Sequence, residues 1–424
     1  MRTFTIVWSG QIVSTIGSYM TDFAITLWAW ELTGQATALA LINFFGKVPS
    51  LLILPFAGTI VDRCNRKLLI ALSDAIAALS TLAILILYLT NHLQIWHFYA
   101  TSAINSAFAE IQELAYSASI TMMVPQQHYT RASSMGSMLH YGSSIFAPAL
   151  AGILYKVTGL FGILSIDLLS FCVGIATVLL VHIPQPAIAQ VDLQRPTTIS
   201  AEAIFGFRYI FTRPNLLVLL VLTLLFCFAH DLGGALYSAM VLARSNNDVE
   251  LLASLSAVAG IGGVVGALII TSWGGPKRRI NGFLLGIIGA GASKTVFGLS
   301  QLPSIWLPAQ FFSSLNFPLL WSSHDAIWLN QVRPEVQGRV FASQSLLLLV
   351  MSASAALIAG PLADRVFEPA MMSGGSLAGL FGVIFGTGAG AGMALLYAIA
   401  SLTLLFIGLA GYALRVAIVA RDRN

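Results

Sequence analysis

The residues best placed to do chemistry are acids set inside apolar runs. Asp22, Glu110, Glu113 and Asp231 each interrupt a long aliphatic and aromatic stretch, and Asp325 stands beside His324 in another. Lys47 and Lys294 are the cations in comparable positions. An ionisable side chain at membrane depth costs roughly 2.5–3.5 kcal/mol on insertion scales, so its default reading is functional. Proton or cation exchange suits a carboxylate there, because apolar surroundings and a second nearby acid both bring titration toward ambient pH. Glu110 and Glu113 are one turn apart and share a helix face. Each acid reads either as a coupling or substrate group or as a polar brace between helices, with Lys47 or Lys294 as partner. Asp74, close to the charged stretch at 58–67, is expected to support that stretch, and Asp167 is the less compelling of the remaining acids.

The first apolar run adds Gln11, Ser14, Thr15, Ser18 and Thr21, with Asp22 closing the row. Their spacing places them on one helical face, suited to lining a cavity. Trp28, Trp30, Phe108, Tyr116, Phe228, Tyr237, Trp321 and Trp328 read either as further lining or as packing and interface anchors. His140 is expected to make a helix contact. Cys64, Cys172 and Cys227 are far apart and lack metal or disulfide spacing. No metal site is expected. Neither a phosphate-binding G-x-x-x-x-G-K-[ST] loop nor an H-E-x-x-H pair occurs, so neither direct ATP drive nor an intramembrane enzyme is expected.

These residues need elements that hold them in lipid. The chain has 424 residues, 57% hydrophobic and only 9% charged, with a mean hydropathy of +0.84. Soluble domains carry about 25% charged residues, so the bilayer is the solvent for this chain. A hydrocarbon core of about 30 Å takes about 20 residues per helix. With that ruler the sequence divides into twelve spans, roughly 5–30, 37–61, 68–90, 96–122, 132–156, 161–183, 215–243, 250–273, 281–300, 305–330, 340–363 and 388–412. The fold class is an all-α membrane protein, twelve transmembrane helices in two pseudo-symmetric six-helix bundles. Residues 1–183 form the first bundle and 214–424 the second. Between them, 184–213 is a cytoplasmic linker ending in an amphipathic stretch, read as an interfacial helix or a solvated one. Residues 374–392 read as an outer loop and the close-packed start of the last span. Arg63, Arg66, Lys67, Arg208, Arg213, Lys277, Arg278, Arg279, Arg333 and Arg339 fall in loops on one side, against Lys156, Arg244 and Arg365 on the other. Both termini are therefore expected in the cytoplasm. The net charge of +4 reads as topogenic, not as a nucleic-acid surface.

Residues 58–67, Gly-Thr-Ile-Val-Asp-Arg-Cys-Asn-Arg-Lys, join the second and third spans. Gly58 permits close packing, Asp62 and Arg63 suit neighbouring helix ends, and Arg66 and Lys67 hold the hairpin at the cytoplasmic surface. Such a charge cluster can latch one conformational state against another. The stretch resembles the G-x-x-x-D-R-x-G-R-R/K motif of the major facilitator superfamily, with Asn65 where glycine is usual. Its counterpart at 274–279, Gly-Gly-Pro-Lys-Arg-Arg, lacks the acid. Trp8-Ser9-Gly10-Gln11, Thr33-Gly34, Pro125 to Arg131 and Pro334 to Arg339 resemble the branch with macrolide-efflux proteins and the enterobactin exporter. Pro148 and Gly152 stand in a run similar to the G-P-x-x-G-G element of antiporters, with alanines replacing two glycines. The resemblance implies a secondary transporter of the bacterial inner membrane. It would export a medium-sized amphipathic molecule (a drug, a siderophore or a small peptide product) against protons by alternating access, with the proton gradient and no cofactor as energy source. Its partners would be the small-molecule substrate and the bilayer, and it would act as a monomer. The alternatives are lipid or lysolipid transport on the same scaffold and a non-transporting sensor.

Overall fold

The computed structural model describes residues 2–125, 129–181, 199–333 and 336–421. Within these, the side chains at 2, 55, 58–59, 62–63, 121, 129–134, 136–141, 199–204 and 414–421 lie outside the described residues. The expectations placed on Gly58, Asp62, Arg63, Arg131 and His140, and on linker residues 184–198, fall there.

The described chain is helical, with no strand among the described residues. In order the helices are α1 (Arg2–Thr33), α2 (Ala36–Phe45), α3 (Val48–Arg63), α4 (Arg66–Leu89), α5 (Ile95–Met123), α6 (Tyr129–Leu180), α7 (Ile199–Phe211) and α8 (Pro214–Arg244). Then come α9 (Val249–Trp273), α10 (Arg279–Leu299), α11 (Pro303–Leu315), α12 (Phe317–Gln331), α13 (Gln337–Leu362), a π-helical turn (Ala363–Phe367), α14 (Glu368–Met371), α15 (Ala378–Phe385) and α16 (Ala391–Arg421). Eight described segments are long and apolar enough to cross a membrane: Ala36–Leu54, Arg66–Leu89, Gly142–Leu180, Pro214–Arg244, Val249–Trp273, Arg279–Leu299, Gln337–Met371 and Ala391–Ala413. α1 and α5 are not among them, although both are long, because each carries a file of polar side chains.

Proline and glycine account for the differences from the expected spans. The span expected at 37–61 breaks at Gly46–Lys47, just before Pro49, and the one at 305–330 breaks at Asn316, before Pro318. A proline has no N–H to give the preceding turn, so a new helix starts there. The spans expected at 132–156 and 161–183 are two helices within α6, separated at Gly159, whose backbone is non-helical (φ 62°, ψ −162°). Residues 374–392 are not a plain loop, since α15 forms inside them. α7 packs one face on the second unit. It docks on α13 through Gly206, where a Cβ would come within 2.4 Å of the Arg339 carbonyl oxygen. Tyr209 and Ile210 of α7 are buried in the same core as Val340 of α13.

Two compact units result. The first is Met1–Thr33 with Leu41–Pro196, and the second is Gly34–Ala40 with Thr197–Asn424. In the first, α1 packs along α6 through small residues, which let helix backbones approach in lipid. A Cβ on Gly17 would lie 2.2 Å from the Ser170 Oγ. Apolar cores form around Phe4, Val7 and Ile70, and around Met20, Phe98 and Ile163. In the second, the core gathers Phe226, Phe283, Leu320 and Trp328. There α9 meets α11 across Gly262 and Gly266, where Cβ atoms would lie 2.5 and 2.3 Å from the carbonyl oxygens of Phe311 and Leu315.

The π-turn after α13 carries a cap for another helix. Asp364 accepts the backbone N–H groups of Ala36 at 3.1 Å and Thr37 at 2.7 Å, and the Thr37 hydroxyl at 2.6 Å. One turn on, Glu368 accepts from the N–H of Gly390 at 3.2 Å and of Met393 at 2.7 Å. Each acid thus satisfies the donors that a helix start leaves over, and meets the positive end of its dipole. Asp364→Ala is expected to lower stability by about 1–2 kcal/mol, the worth of a strong N-cap. A thermal melt of the purified protein checks this, and an unchanged midpoint would show the cap to be redundant.

Candidate functional site

α1 dictates the site. Gln11, Ser14, Thr15, Ser18, Thr21 and Asp22 all line one cavity of about 480 Å³ inside the first unit. The facing walls are Asn43 and Lys47 at the α2–α3 break, Ser73, Asp74, Ser80 and Thr81 of α4, Thr101, Ser102, Asn105, Ser106 and Gln112 of α5, and Asp167 of α6. The expected row therefore does face a cavity. The expected aromatic lining is not found there, since Phe171 is its one aromatic wall residue. Trp28 instead packs edge-on to Phe98, with centroids 5.2 Å apart, and Tyr116 is buried in the core.

Two acids of low sequence weight anchor the walls. Asp74 is 2% exposed. Its Oδ2 accepts from Gln11 Nε2 at 2.8 Å and its Oδ1 from Gln112 Nε2 at 2.7 Å. Gln112 Nε2 also reaches Gln11 Oε1 at 3.2 Å, closing a triangle among α1, α4 and α5. Asp74 therefore braces three helices, and its hydrogen bonds among the described residues run to Gln11 and Gln112 rather than to the charged stretch it was expected to support. Asp167, 1% exposed, accepts hydroxyl protons from Thr21 at 2.8 Å and Thr81 at 3.0 Å. Spending polar groups on one another in this way is how a buried carboxylate is made tolerable. Asp22 is different: its side chain is exposed and opens on the cavity.

Glu110 and Glu113 do not line this cavity. Glu110 is half-buried with the Ser50 hydroxyl beside it, and Glu113 is exposed. Their shared face is real, but the cavity-facing residues of α5 are Asn105, Ala109 and Gln112. Pro148 and Gly152 are buried in α6 and lie outside the cavity wall.

The second unit has its own pockets. His230, Asp231, Phe317 and Trp321 line one of about 540 Å³. The His230 ring stacks on Phe226 at a centroid distance of 5.5 Å. Lys294, on α10, is buried, within Coulombic reach of Asp231 and 5.7 Å from the Tyr397 ring centre. Trp321 and Trp328 line a neighbouring pocket with His324, Asp325 and Gln344. There His324 Nε2 accepts the Trp328 indole N–H at 2.9 Å and meets Gln344 Nε2 at 2.9 Å, while His324 Nδ1 lies 2.9 Å from Asp325 Oδ1. An indole N–H only donates, so Nε2 is the acceptor and Nδ1 carries the proton toward Asp325. Asp325 itself is 67% exposed at its side chain, unlike the buried acid that its apolar surroundings suggest.

Of the 58–67 motif, the cationic end is described. Arg66 Nη1 donates to the Ala118 carbonyl at 2.8 Å and Lys67 Nζ to the Leu179 carbonyl at 2.7 Å, both near helix C-termini. The charges thus sit at negative dipole ends of α5 and α6. Asn65, where the motif usually has glycine, caps α4 by accepting the Leu68 N–H at 3.2 Å. The sequence reading missed Asp364 and Glu368. The signal was present, since Gly360-Pro-Leu-Ala-Asp364-Arg365 repeats the G-x-x-x-D-R spacing of Gly58 to Arg63.

A helical chain of apolar spans around a polar cavity that holds unspent charge defines a membrane transporter. The chain belongs to the Major Facilitator Superfamily, whose profile matches residues 7–355. It is similar to macrolide efflux protein A of Streptococcus pyogenes, 27% identical over 367 residues, covering 86% of this chain and 90% of that protein. Macrolide efflux protein A of Enterococcus faecalis is 27% identical over 313 residues, 73% of this chain and 95% of that one. The solved structure of the nucleoside transporter NupG superposes with a TM-score of 0.70 at 11% identity, covering 97% of this chain and 99% of that one. The last likeness concerns the fold alone. The chain is thus an integral membrane transporter of small molecules, not an enzyme, and the relatives just named are efflux proteins.

Proposed function

We propose that this protein is a proton-driven exporter of a medium-sized amphipathic molecule, working by alternating access of two six-helix halves with twelve crossings in all. It would act as a monomer in a bacterial inner membrane with both termini cytoplasmic, drawing on the proton gradient with no cofactor. The observation that carries the reading is the acid-bearing polar cavity of α1, α4, α5 and α6. A carboxylate in a cavity at membrane depth can exchange a proton for a cargo, since either neutralises it. Within the second unit, the pocket around Phe317 and Trp321 is aromatic and apolar, as suits an apolar portion of a cargo. The similarity to macrolide efflux proteins favours outward drug transport.

The test is flux of a macrolide panel in vesicles holding the full chain under an imposed pH gradient. Gradient-dependent accumulation, abolished by a protonophore, is expected, and its absence across the panel would overturn the reading. In the same assay Glu113→Gln is expected to keep pH-driven accumulation within about twofold of the parent, as for a surface substitution away from the site, because Glu113 lies outside the cavity wall. Uncoupled flux in that variant would return the coupling role to α5.

A further inference from the structure

One end of the second unit is basic. Arg208 and Arg213 of α7, Arg333 after α12 and Arg339 of α13 gather there, with Lys277 to Arg279 before α10. Their elements share one core, in which Tyr209, Ile210, Leu216, Val332 and Val340 are buried and Ile280 packs against them. Along these segments the sequence sets seven basic residues against two acids, Glu202 and Glu335. At the other end of the same spans, Arg244 and Arg365 stand with four acids, Asp248, Glu250, Asp364 and Glu368. The basic end is therefore the one that an anionic surface attracts.

α7 is fixed at that end, level with the membrane surface. Three segments long and apolar enough to cross a membrane begin here, at Pro214, Arg279 and Gln337. α7 leads directly into the first and docks beside the start of the third, where Gly206 meets the Arg339 carbonyl.

The helix has two different sides. Gly206, Tyr209 and Ile210 form the docked one. Arg213 belongs with them, since its guanidinium lies 3.4 Å from the Tyr209 ring centre and its Nη1 donates to the Tyr209 carbonyl at 3.0 Å. Phe205, Arg208 and Phe211, at intervals of three, form an oblique stripe on the other side. Phe205 is 36% exposed and Phe211 57%, and Arg208 is exposed between them. Arg339 reaches the same stripe from α13, with its guanidinium carbon 5.5 Å from the Phe205 ring centre. Two phenyl rings thus face outward with a guanidinium on either side of the first. Water penalises that arrangement, and a leaflet of anionic lipid rewards it. The rings enter the boundary between headgroups and acyl chains, and the guanidinium groups meet phosphate oxygens in their own plane.

We infer that the outward stripe of α7 is a binding site for an anionic phospholipid, with Arg208 and Arg339 on its phosphate and Phe205 and Phe211 against its acyl chains. In the orientation proposed above, this lipid belongs to the cytoplasmic leaflet. The site is independent of the cargo and of the direction of transport.

The test is lipid binding to the full chain, purified in detergent, stripped of lipid and titrated with phosphatidylglycerol or with phosphatidylcholine of the same acyl chains. Native mass spectrometry reads the bound lipid. Phosphatidylglycerol is expected to bind the parent about tenfold or more tightly, as two basic residues near an anionic surface imply. Arg208→Gln and Arg339→Gln are each expected to lower that affinity about fivefold, the worth of one such residue. Lys277→Gln, which removes a charge from the same end outside α7 and α13, is expected to stay within about twofold, as for a surface substitution away from the site. Glycerophosphoglycerol, the headgroup without its chains, is expected to leave the lipid bound at equal concentration, because it offers the phenyl rings nothing. Equal binding of the two lipids, a loss in Lys277→Gln as large as in Arg208→Gln, or displacement by the bare headgroup overturns the assignment. Should Arg339→Gln not keep the parent's gel-filtration profile, Arg208→Gln decides alone, since that position is exposed.

Discussion

Leucine at both Gly262 and Gly266 is expected to abolish recovery of folded protein. The two glycines lie four residues apart on α9, on the face that meets α11. Added Cβ atoms would sit 2.5 and 2.3 Å from the main-chain oxygens of Phe311 and Leu315. Main chain cannot swing away as a side chain can, so the helices must separate along their whole contact. Overpacking typically costs about 1–3 kcal/mol per site, and two such sites exhaust much of the about 5–15 kcal/mol by which folded proteins are stable. Between them, Gly263 has nothing within 4 Å of its Cβ position. Gly263→Ala is therefore expected to match or slightly exceed the parent, as alanine is the better helix former. Fluorescence-detected gel filtration of the solubilised variants reads both results. A monodisperse double-leucine variant would mean that α9 and α11 do not approach as described.

The second large effect is expected at Asp74. Asp74→Leu keeps the volume roughly and removes an acceptor from two amides, the buried Gln11 and the part-buried Gln112. Each stranded amide costs about 1–3 kcal/mol, so a loss of several kcal/mol is expected, seen as a marked fall in the thermal midpoint. Asp74→Asn keeps one acceptor oxygen and turns its own amide toward Gln11 or Gln112, so it is expected to fall between the parent and Asp74→Leu. Replacing Gln112 by leucine as well should recover part of the deficit, since one of the two orphans is then gone. A double variant as unstable as the sum of the singles would show that the triangle is not a coupled unit.

How much of this was legible depends on whether a property belongs to one helix or to several. The polar row of α1 was legible because residues spaced three and four apart share a face of their own helix. The apolar runs also located the helices, because each must satisfy its backbone internally in lipid. The opposite wall was not legible, because periodicity does not say which helices become neighbours. Glu110 and Glu113 illustrate the limit. Their spacing fixed a common face and was silent on where the face points, and Gln112 turned out to face the cavity. Asp74 illustrates a second limit. Nearness in sequence to a charged stretch suggested its partners, whereas its partners are Gln11 and Gln112, 63 and 38 residues away along the chain. The breaks at Gly46–Lys47 and Asn316 were marked by Pro49 and Pro318, and the continuous apolar character hid them.

Asp364 sets a condition on dividing this chain in two. The acid follows α13, late in the chain, yet the three donors it accepts belong to Ala36 and Thr37. A polypeptide ending at the linker would start its second helix with those donors facing nothing. Two separately encoded pieces would therefore have to meet before that turn is finished, and a chimera pairing the early part of this protein with the late part of a cousin would need an acid at the same place.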